Sequence, residues 1–301
     1  MADGISTGFT NRWFGLGKIQ NNHASKSKND ILIEITGNSG KDKYTYSVSF
    51  NSSPNKDVYF AVQENLSKGK EAIFQIKDKQ QELSLPKQSN PFAKQLFGYI
   101  EDWQFLSLIP EEMYYPVRRE QSKMSVVMST SGRNVADYFS RLQDNPVLFS
   151  SVLDKMRYVL PDLDYIAAAH DQIRKEAFLW LTESKSKERL PSWLFSSGTL
   201  RILAILAILN SETPPPIIFI EEIENGLDPR TLNMLTDEIG RLIPEHQFIV
   251  TTHSPYFLDL LELDHIITTE RKDGQTKYYR PADNENLLKW KEKFRLVSYT
   301  P

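Results

Sequence analysis

A chain of 301 residues, 40% hydrophobic and 25% charged, carrying a net charge of -3, has the composition of an ordinary globular protein. It contains no cysteine, which excludes disulfides, thiolate catalysis and cysteine-based zinc sites. The near-balanced charge gives no global reason to bind nucleic acid, and the longest apolar run, Ile202 to Leu209, is too short to span a bilayer. Met1 to Gly8 lack the charged start and apolar stretch of a signal peptide. A cytoplasmic protein with no membrane association is therefore expected.

Residues 1–30 are polar, with Phe9, Trp13 and Phe14 as their sizeable anchors, and read as the tail of an element followed by a loop. From Ile31 the period becomes two: Ile31, Ile33 and Ile35 alternate, then Tyr44, Tyr46, Val48 and Phe50. Gly37-Asn38-Ser39-Gly40 between them predicts a hairpin. Strand-like runs at Val58–Val62, Ala72–Ile76 and Leu83–Leu85 extend it into a meander over about 31–86. Residues 90–190 read as helical, with apolar three- and four-residue spacing over 134–142, 146–160 and 166–183. The basic stretch Thr182 to Arg189 reads as a turn, and Arg118, Arg119 and Arg133 as solvated surface charge.

Beyond Arg189 helices and strands alternate: helix 199–210, strand 217–221, helix 230–243, strand 247–252, helix 255–263, strand 265–270. That order predicts a parallel sheet with helical crossovers. Pro214-Pro215-Pro216 ends the first helix ahead of a buried strand. Lys277–Tyr279 is expected to pair with Ile266–Thr269 around Asp273-Gly274, and Leu287–Phe294 to form a closing helix. We divide the chain into a loop and antiparallel β-subdomain (1–90), a helical subdomain (91–190) and an α/β lobe (191–301).

Three segments of that lobe carry chemistry. Ser196-Ser197-Gly198-Thr199 opens an apolar helix, whose N-terminal amides and dipole suit an anion; the plainer reading is a helix cap. Glu221-Glu222 closes the buried run Ile217–Ile220, and ligands gather at such strand ends in open α/β sheets. Two solvated carboxylates ending a strand is the plainer alternative. His253 ends a second apolar strand, where a histidine is more often structural. Two Gly-Lys sequences are not phosphate cradles of the form G-x-x-x-x-G-K-[S/T]. Around Gly15-Leu16-Gly17-Lys18, Arg12 replaces the leading glycine and Ile19 the hydroxyl. Around Gly37–Lys41 the corresponding residues are Ile35 and Asp42.

Taken in order, Phe195–Arg201, Ile217–Glu222 with Asn225-Gly226-Leu227-Asp228-Pro229, and Thr251-Thr252-His253-Ser254-Pro255 resemble the C-terminal half of an ABC-type ATPase head. The match is to the RecF/SMC-like branch of bacterial AAA-type ATPases that includes the overcoming-lysogenization-defect proteins. The resemblance is good from about 128 to 260 and weaker over the β-subdomain. It implies an α/β fold with a parallel-sheet P-loop NTPase core, an antiparallel β-subdomain and a helical insertion. It further implies ATP and magnesium as cofactors. In that family's terms Ser196, Ser197, Gly198 and Thr199 are the signature that presses on the nucleotide of a partner subunit. Glu221 holds the metal, Glu222 polarises the attacking water, Asp228 lies in the D-loop facing the opposite subunit, and His253 contacts the γ-phosphate. A homodimer or larger oligomer is implied, with DNA and a nuclease or effector as further partners, in repair or in defence against phage and plasmids. The phosphate-binding Walker A segment has no counterpart here, so Met1 reads as an entry into the middle of a longer head, or the P-loop as carried on another chain. The competing reading is a catalytically degenerate head that dimerises or docks a partner.

Overall fold

The computed structural model describes residues 31–39, 41–52, 59–118, 127–171, 173–273 and 275–284. The expectations for residues 1–30 (Gly15–Lys18 among them), Arg119 and Leu287–Phe294 lie outside the described residues. Two compact units are present, Met1–Glu101 with Ile267–Pro301, and Asp102–Ile266.

The first unit contains an antiparallel sheet of β1 (Ile31–Ser39), β2 (Asp42–Ser52), β3 (Tyr59–Lys68) and β4 (Glu71–Ile76), in that order. The β1–β2 turn is tighter than Gly37–Gly40 suggested. Ser39 already pairs with Asp42, and Gly37 pairs with Tyr44 inside the ladder. The second Gly-Lys sequence therefore sits in a strand–turn–strand. Helix α1 (Pro91–Glu101) follows, and its Phe92 ring stacks on Tyr44 of β2 at 3.6 Å.

The strand expected at Leu83–Leu85 is instead a bend leading into a 3-10 turn at Leu85–Lys87. Its peptides are drawn to the fully buried Glu64 of β3. Glu64 Oε2 accepts from Ser84 N at 2.6 Å and Gln80 Nε2 at 3.0 Å; Oε1 accepts from Leu85 N at 2.8 Å and the Tyr46 hydroxyl at 2.9 Å. Four donors on one carboxylate replace the water it gave up. Burial, followed by the Glu64 charge, pushes the Tyr46 hydroxyl far above the ordinary phenol range.

The second unit has one apolar core. Its sheet, β5 (Gln104–Leu106), β10 (Ile217–Ile220) and β11 (Gln247–Val250), is parallel, with β10 central. Strand β5, three residues long, is too short to show a period in the sequence. Helix α2 (Pro110–Met113) follows it. Next come α3 (Val135–Leu142) and α4 (Pro146–Val159), close to the expected bounds. Asn145 caps α4, its Oδ1 accepting from Val147 N and Leu148 N.

The helix expected over 166–183 is a correction: the chain forms the antiparallel pair β7 (Leu163–Asp171) and β8 (Glu176–Glu183). The reason is period two in β8, where Ala177, Leu179 and Leu181 are buried and their neighbours are not. Asp171 also closes a turn by accepting from Ile173 N and Arg174 N, and Lys175 takes φ +57. Strands β6 (Val117–Arg118) and β9 (Arg189–Pro191) pair with the other edge of β8.

Helix α5 (Ser197–Leu209) is apolar all round and buried from Ile202 to Leu209. Helix α6 (Pro229–Leu242) links β10 to β11, and the short α7 (Pro255–Asp259) ends four residues before its expected limit of 263. Lys155 of α4 ties three helices together: its ammonium lies 2.8 Å from Glu238 of α6 and 2.6 Å from Asn210 Oδ1 at the end of α5. The expected pairing around Asp273 is the hairpin β12 (Thr268–Lys272) and β13 (Gln275–Tyr279), which belongs to the first unit and not to the parallel sheet.

Glu64→Ala strands four donors at once, three of them buried and two of them backbone amides. We expect a loss of about 3 kcal/mol or more from the antiparallel unit. Urea unfolding followed by far-UV circular dichroism checks this.

Candidate functional site

Because β5, β10 and β11 are parallel and in register, Ser107, Glu221 and Thr251 emerge side by side at their C-terminal ends. Glu221 N donates to Leu106 O at 2.9 Å and Thr251 N to Ile220 O at 2.9 Å, which carries the ladder to the rim. Ser107 Oγ donates to Glu221 Oε2 at 2.7 Å, a contact across 114 residues of sequence. The Glu221 carboxylate is thus held by the residue that follows β5 while remaining exposed.

Glu222 breaks the strand. Its φ of +48 lies in the left-handed region, which a non-glycine residue occupies at a cost of ~1–3 kcal/mol. The surroundings hold it there. Glu222 N donates to Thr251 Oγ1 at 3.0 Å, Ile223 N donates to Thr251 O at 3.3 Å, and Asn225 Nδ2 donates to Glu222 Oε2. Glu224 completes the seam. Its Oε1 accepts from His253 N at 2.6 Å and its Oε2 from the Thr252 hydroxyl at 2.7 Å. Burial works to raise the Glu224 pKa, but the interactions led by these two hydrogen bonds hold the carboxyl below the usual range.

Asp228 is the N-cap of α6. Its Oδ1 accepts from Arg230 N and Thr231 N at 2.9 and 3.1 Å, and Oδ2 accepts from the Thr231 hydroxyl at 2.6 Å. The Thr231 hydroxyl leads in holding this carboxyl below the usual range. Ser196 caps α5 in the same manner, accepting from Thr199 N at 3.0 Å and sharing a 2.7 Å hydrogen bond with the Thr199 hydroxyl. Thr199 is itself buried. Ser197 and Gly198 face the turn after β10: the Ser197 hydroxyl and Gly198 N each lie 3.5 Å from the position a Cβ would take at Gly226, where φ is +72. Arg201, one turn into α5, feels the charges of Glu111 and Glu222. Burial lowers its pKa, and the two carboxylates act in the opposite direction.

The structure thus ties Glu221 to Ser107, joins the Glu222 turn through Thr251 and Glu224 to the segment that carries His253, and sets Ser197 and Gly198 against the turn that leads to Asp228. The oxygens of Asp228 and Ser196 are engaged in capping. Ser107, Arg201 and Glu224 join the site in the structure without a signal of their own in the three motifs. Ser107 is found only through the sheet, whereas Glu224 lies two residues beyond the carboxylate pair.

Magnesium fits this donor set. A carboxylate beside a hydroxyl suits an ion that keeps water and phosphate oxygens as its other ligands. Among the described residues no group of three or more His, Asp or Glu side chains forms a cage for a metal. No helix of the described residues is long and apolar enough to cross a membrane.

Among solved structures the chain is similar to the SMC head bound to the C-winged helix domain of ScpA, with TM-score 0.54 and 12% identity over 92% of this chain and 84% of that one. It also matches the SMC head domain from Thermotoga maritima, with TM-score 0.44 and 9% identity over 84% of this chain and 74% of that one. No curated protein matches. The fold is that of an SMC head. Residues 26–259 match the family model AAA_21, described as "AAA domain, putative AbiEii toxin, Type IV TA system", and the chain belongs to that family.

A Cβ on Gly198 would lie 2.2 Å from the Gly226 carbonyl oxygen, whereas one on Gly240 in α6 would meet nothing within 4 Å. Gly198→Ala should therefore destabilise by ~1–3 kcal/mol. Gly240→Ala should stabilise by up to ~1 kcal/mol through helix propensity. Thermal melts of the two variants should move in opposite directions.

Proposed function

We propose that this chain is an ATP-binding and ATP-hydrolysing ABC-type head that works across a dimer interface. The observation that carries the reading is the seam between the turn after β10 and the segment after β11. It brings two carboxylates and the His253 backbone onto one structural unit at the C-terminal rim of a parallel sheet. Phosphoryl transfer needs little from a protein beyond positioning and charge stabilisation.

In this reading Glu221, steadied by Ser107, holds the magnesium that enters with the nucleotide. The ion, when bound, neutralises charge on the phosphates. Glu222 orients and polarises the attacking water; Asn225 fixes one of its oxygens, so the other faces that water. His253 faces the γ-phosphate. The N-terminus of α5, a helix of 13 residues, presents its amides and dipole to the nucleotide of the second subunit. Trp193 and Leu194, 55% and 63% exposed immediately before it, give that face an apolar rim suited to a subunit contact. The D-loop residue Asp228 meets the same partner.

The sequence has no match to a phosphate cradle, so our proposal completes the site with a strand, P-loop and helix supplied upstream or by a second chain. We place the ATPase in DNA-linked work, repair or defence against phage and plasmids, with a nuclease or effector as a separate polypeptide. The solved SMC head bound to a ScpA domain is an instance of such a head holding a protein partner.

Calorimetry with ATP and magnesium, on this chain and on one extended upstream through an in-frame P-loop, tests the reading. Binding by the extended form alone is the expected result. No binding by either supports the docking-module alternative. In the assembled, active complex, Glu222→Gln should retain ATP binding and lower turnover by ~100-fold or more. Wild-type turnover in that variant overturns the assignment of Glu222.

A further inference from the structure

Glu224 has both carboxylate oxygens directed at consecutive residues of another segment. One accepts the His253 amide at 2.6 Å and the other the Thr252 hydroxyl at 2.7 Å. The order continues on both sides. The Thr252 hydroxyl accepts from Ser254 N at 3.0 Å, and Ser254 Oγ caps α7 by accepting from Phe257 N. On the other side, Leu227 N donates to Glu224 O at 3.0 Å, closing the turn whose Gly226 carbonyl lies against Gly198. The carboxylate therefore sits between the backbone that carries His253 and the turn that carries Glu222.

We propose that Glu224 is a positioning residue for the ATPase reaction. It clamps the His253 backbone to the Glu222 turn, so that the phosphate-facing imidazole and the water-polarising carboxylate move as one body. This inference rests on the ATPase reading of the site.

Three features favour positioning over simple surface stabilisation. The contacts are short and charge-assisted, and the fold does not need them to close the sheet, since the β10–β11 ladder and the two Thr251 contacts already do so. The clamp grips a main-chain amide, so it fixes the origin of the His253 side chain independently of the imidazole's charge. A carboxylate is also the group the geometry requires, because both partners donate. An amide would turn its own NH2 toward one of them, and aspartate would fall one methylene short. A displacement of about 1 Å at such a site costs on the order of 100-fold in rate.

The test uses Glu224→Ala and Glu224→Gln in the assembled ATPase, alongside amide proton resonances of the isotopically labelled chain. We expect Glu224→Ala to lower kcat by roughly 10- to 100-fold, with the KM for ATP changed by less than about 3-fold. Glu224→Gln should fall between it and wild type. The His253 amide proton should move upfield in both variants, because a 2.6 Å contact to a carboxylate is lost or weakened, while the thermal melting midpoint stays close to wild type. Wild-type kcat in Glu224→Ala overturns the positioning role, even where the resonance moves. Equal losses in kcat and melting midpoint also overturn it, in favour of a structural role. Failure of the ATPase reading has a different signature: the unsubstituted assembly binds no ATP with magnesium, and the inference falls with it.

Discussion

Helix α5 has no polar face to give to water, and this constraint arranges everything around the site. Every residue from Ile202 to Leu209 is buried, so the helix must run through the core of its unit, with α2, α3, α4 and α6 packed on it. A helix in that position has one free variable left, where its first turn emerges. The sequence Ser196-Ser197-Gly198-Thr199 sets it: Ser196 stops the helix with its side chain, and Gly198 lets the backbone come against the Gly226 carbonyl with no Cβ between them. The burial of eight apolar residues thus fixes the place of the four polar or small residues that precede them.

The same logic governs the strand ends. Three short parallel strands end in register, and their next residues are Ser107, Glu221 and Thr251. None of these side chains is buried, so hydrophobic packing does not hold them; hydrogen bonds between neighbouring strand ends do. The left-handed Glu222 persists because Thr251 and Asn225 both engage it. Strain of this kind is tolerated only where the surroundings over-determine the backbone, and here they do so where a carboxylate must leave the line of its strand.

Much of this was legible in the sequence where periodicity and caps agreed. The α5–β10–α6–β11 succession announced itself because each helix has an N-cap residue before an apolar period and each strand is a short β-branched or aromatic run. Two failures have physical causes. Strand β5 is only three residues long, and the value of Ser107 depends on a partner 114 residues away. The β7–β8 pair was misread because Ile166-Ala167-Ala168-Ala169 carries helix-forming alanines, while the alternation of Ala177, Leu179 and Leu181 appears only from Glu176 onward. Register with a neighbouring strand overrode local propensity. Glu224 was visible but unweighted, since nothing in a linear reading says that a third acidic residue will turn toward the next strand.

Several residues of the three motifs hold the fold first. Ser196, Asp228 and Ser254 are N-caps of α5, α6 and α7, each accepting from amides in the first turn of its own helix. A cap of this kind is worth about 1 kcal/mol, and a ligand that needed the same oxygen would have to displace it. In the proposed assembly, contacts to a nucleotide or a second subunit at these segments would fall to groups the caps leave in place, such as the Gly198 backbone, the helix dipole and the main chain around Asp228, since the capping oxygens are already engaged. Replacing a cap loosens a helix end before it removes a contact. Loss of activity on changing Ser196 or Asp228 is thus weak evidence for a ligand role, whereas the side chain of the exposed Glu222 accepts from Asn225, and the isosteric Glu222→Gln change keeps an oxygen for that contact.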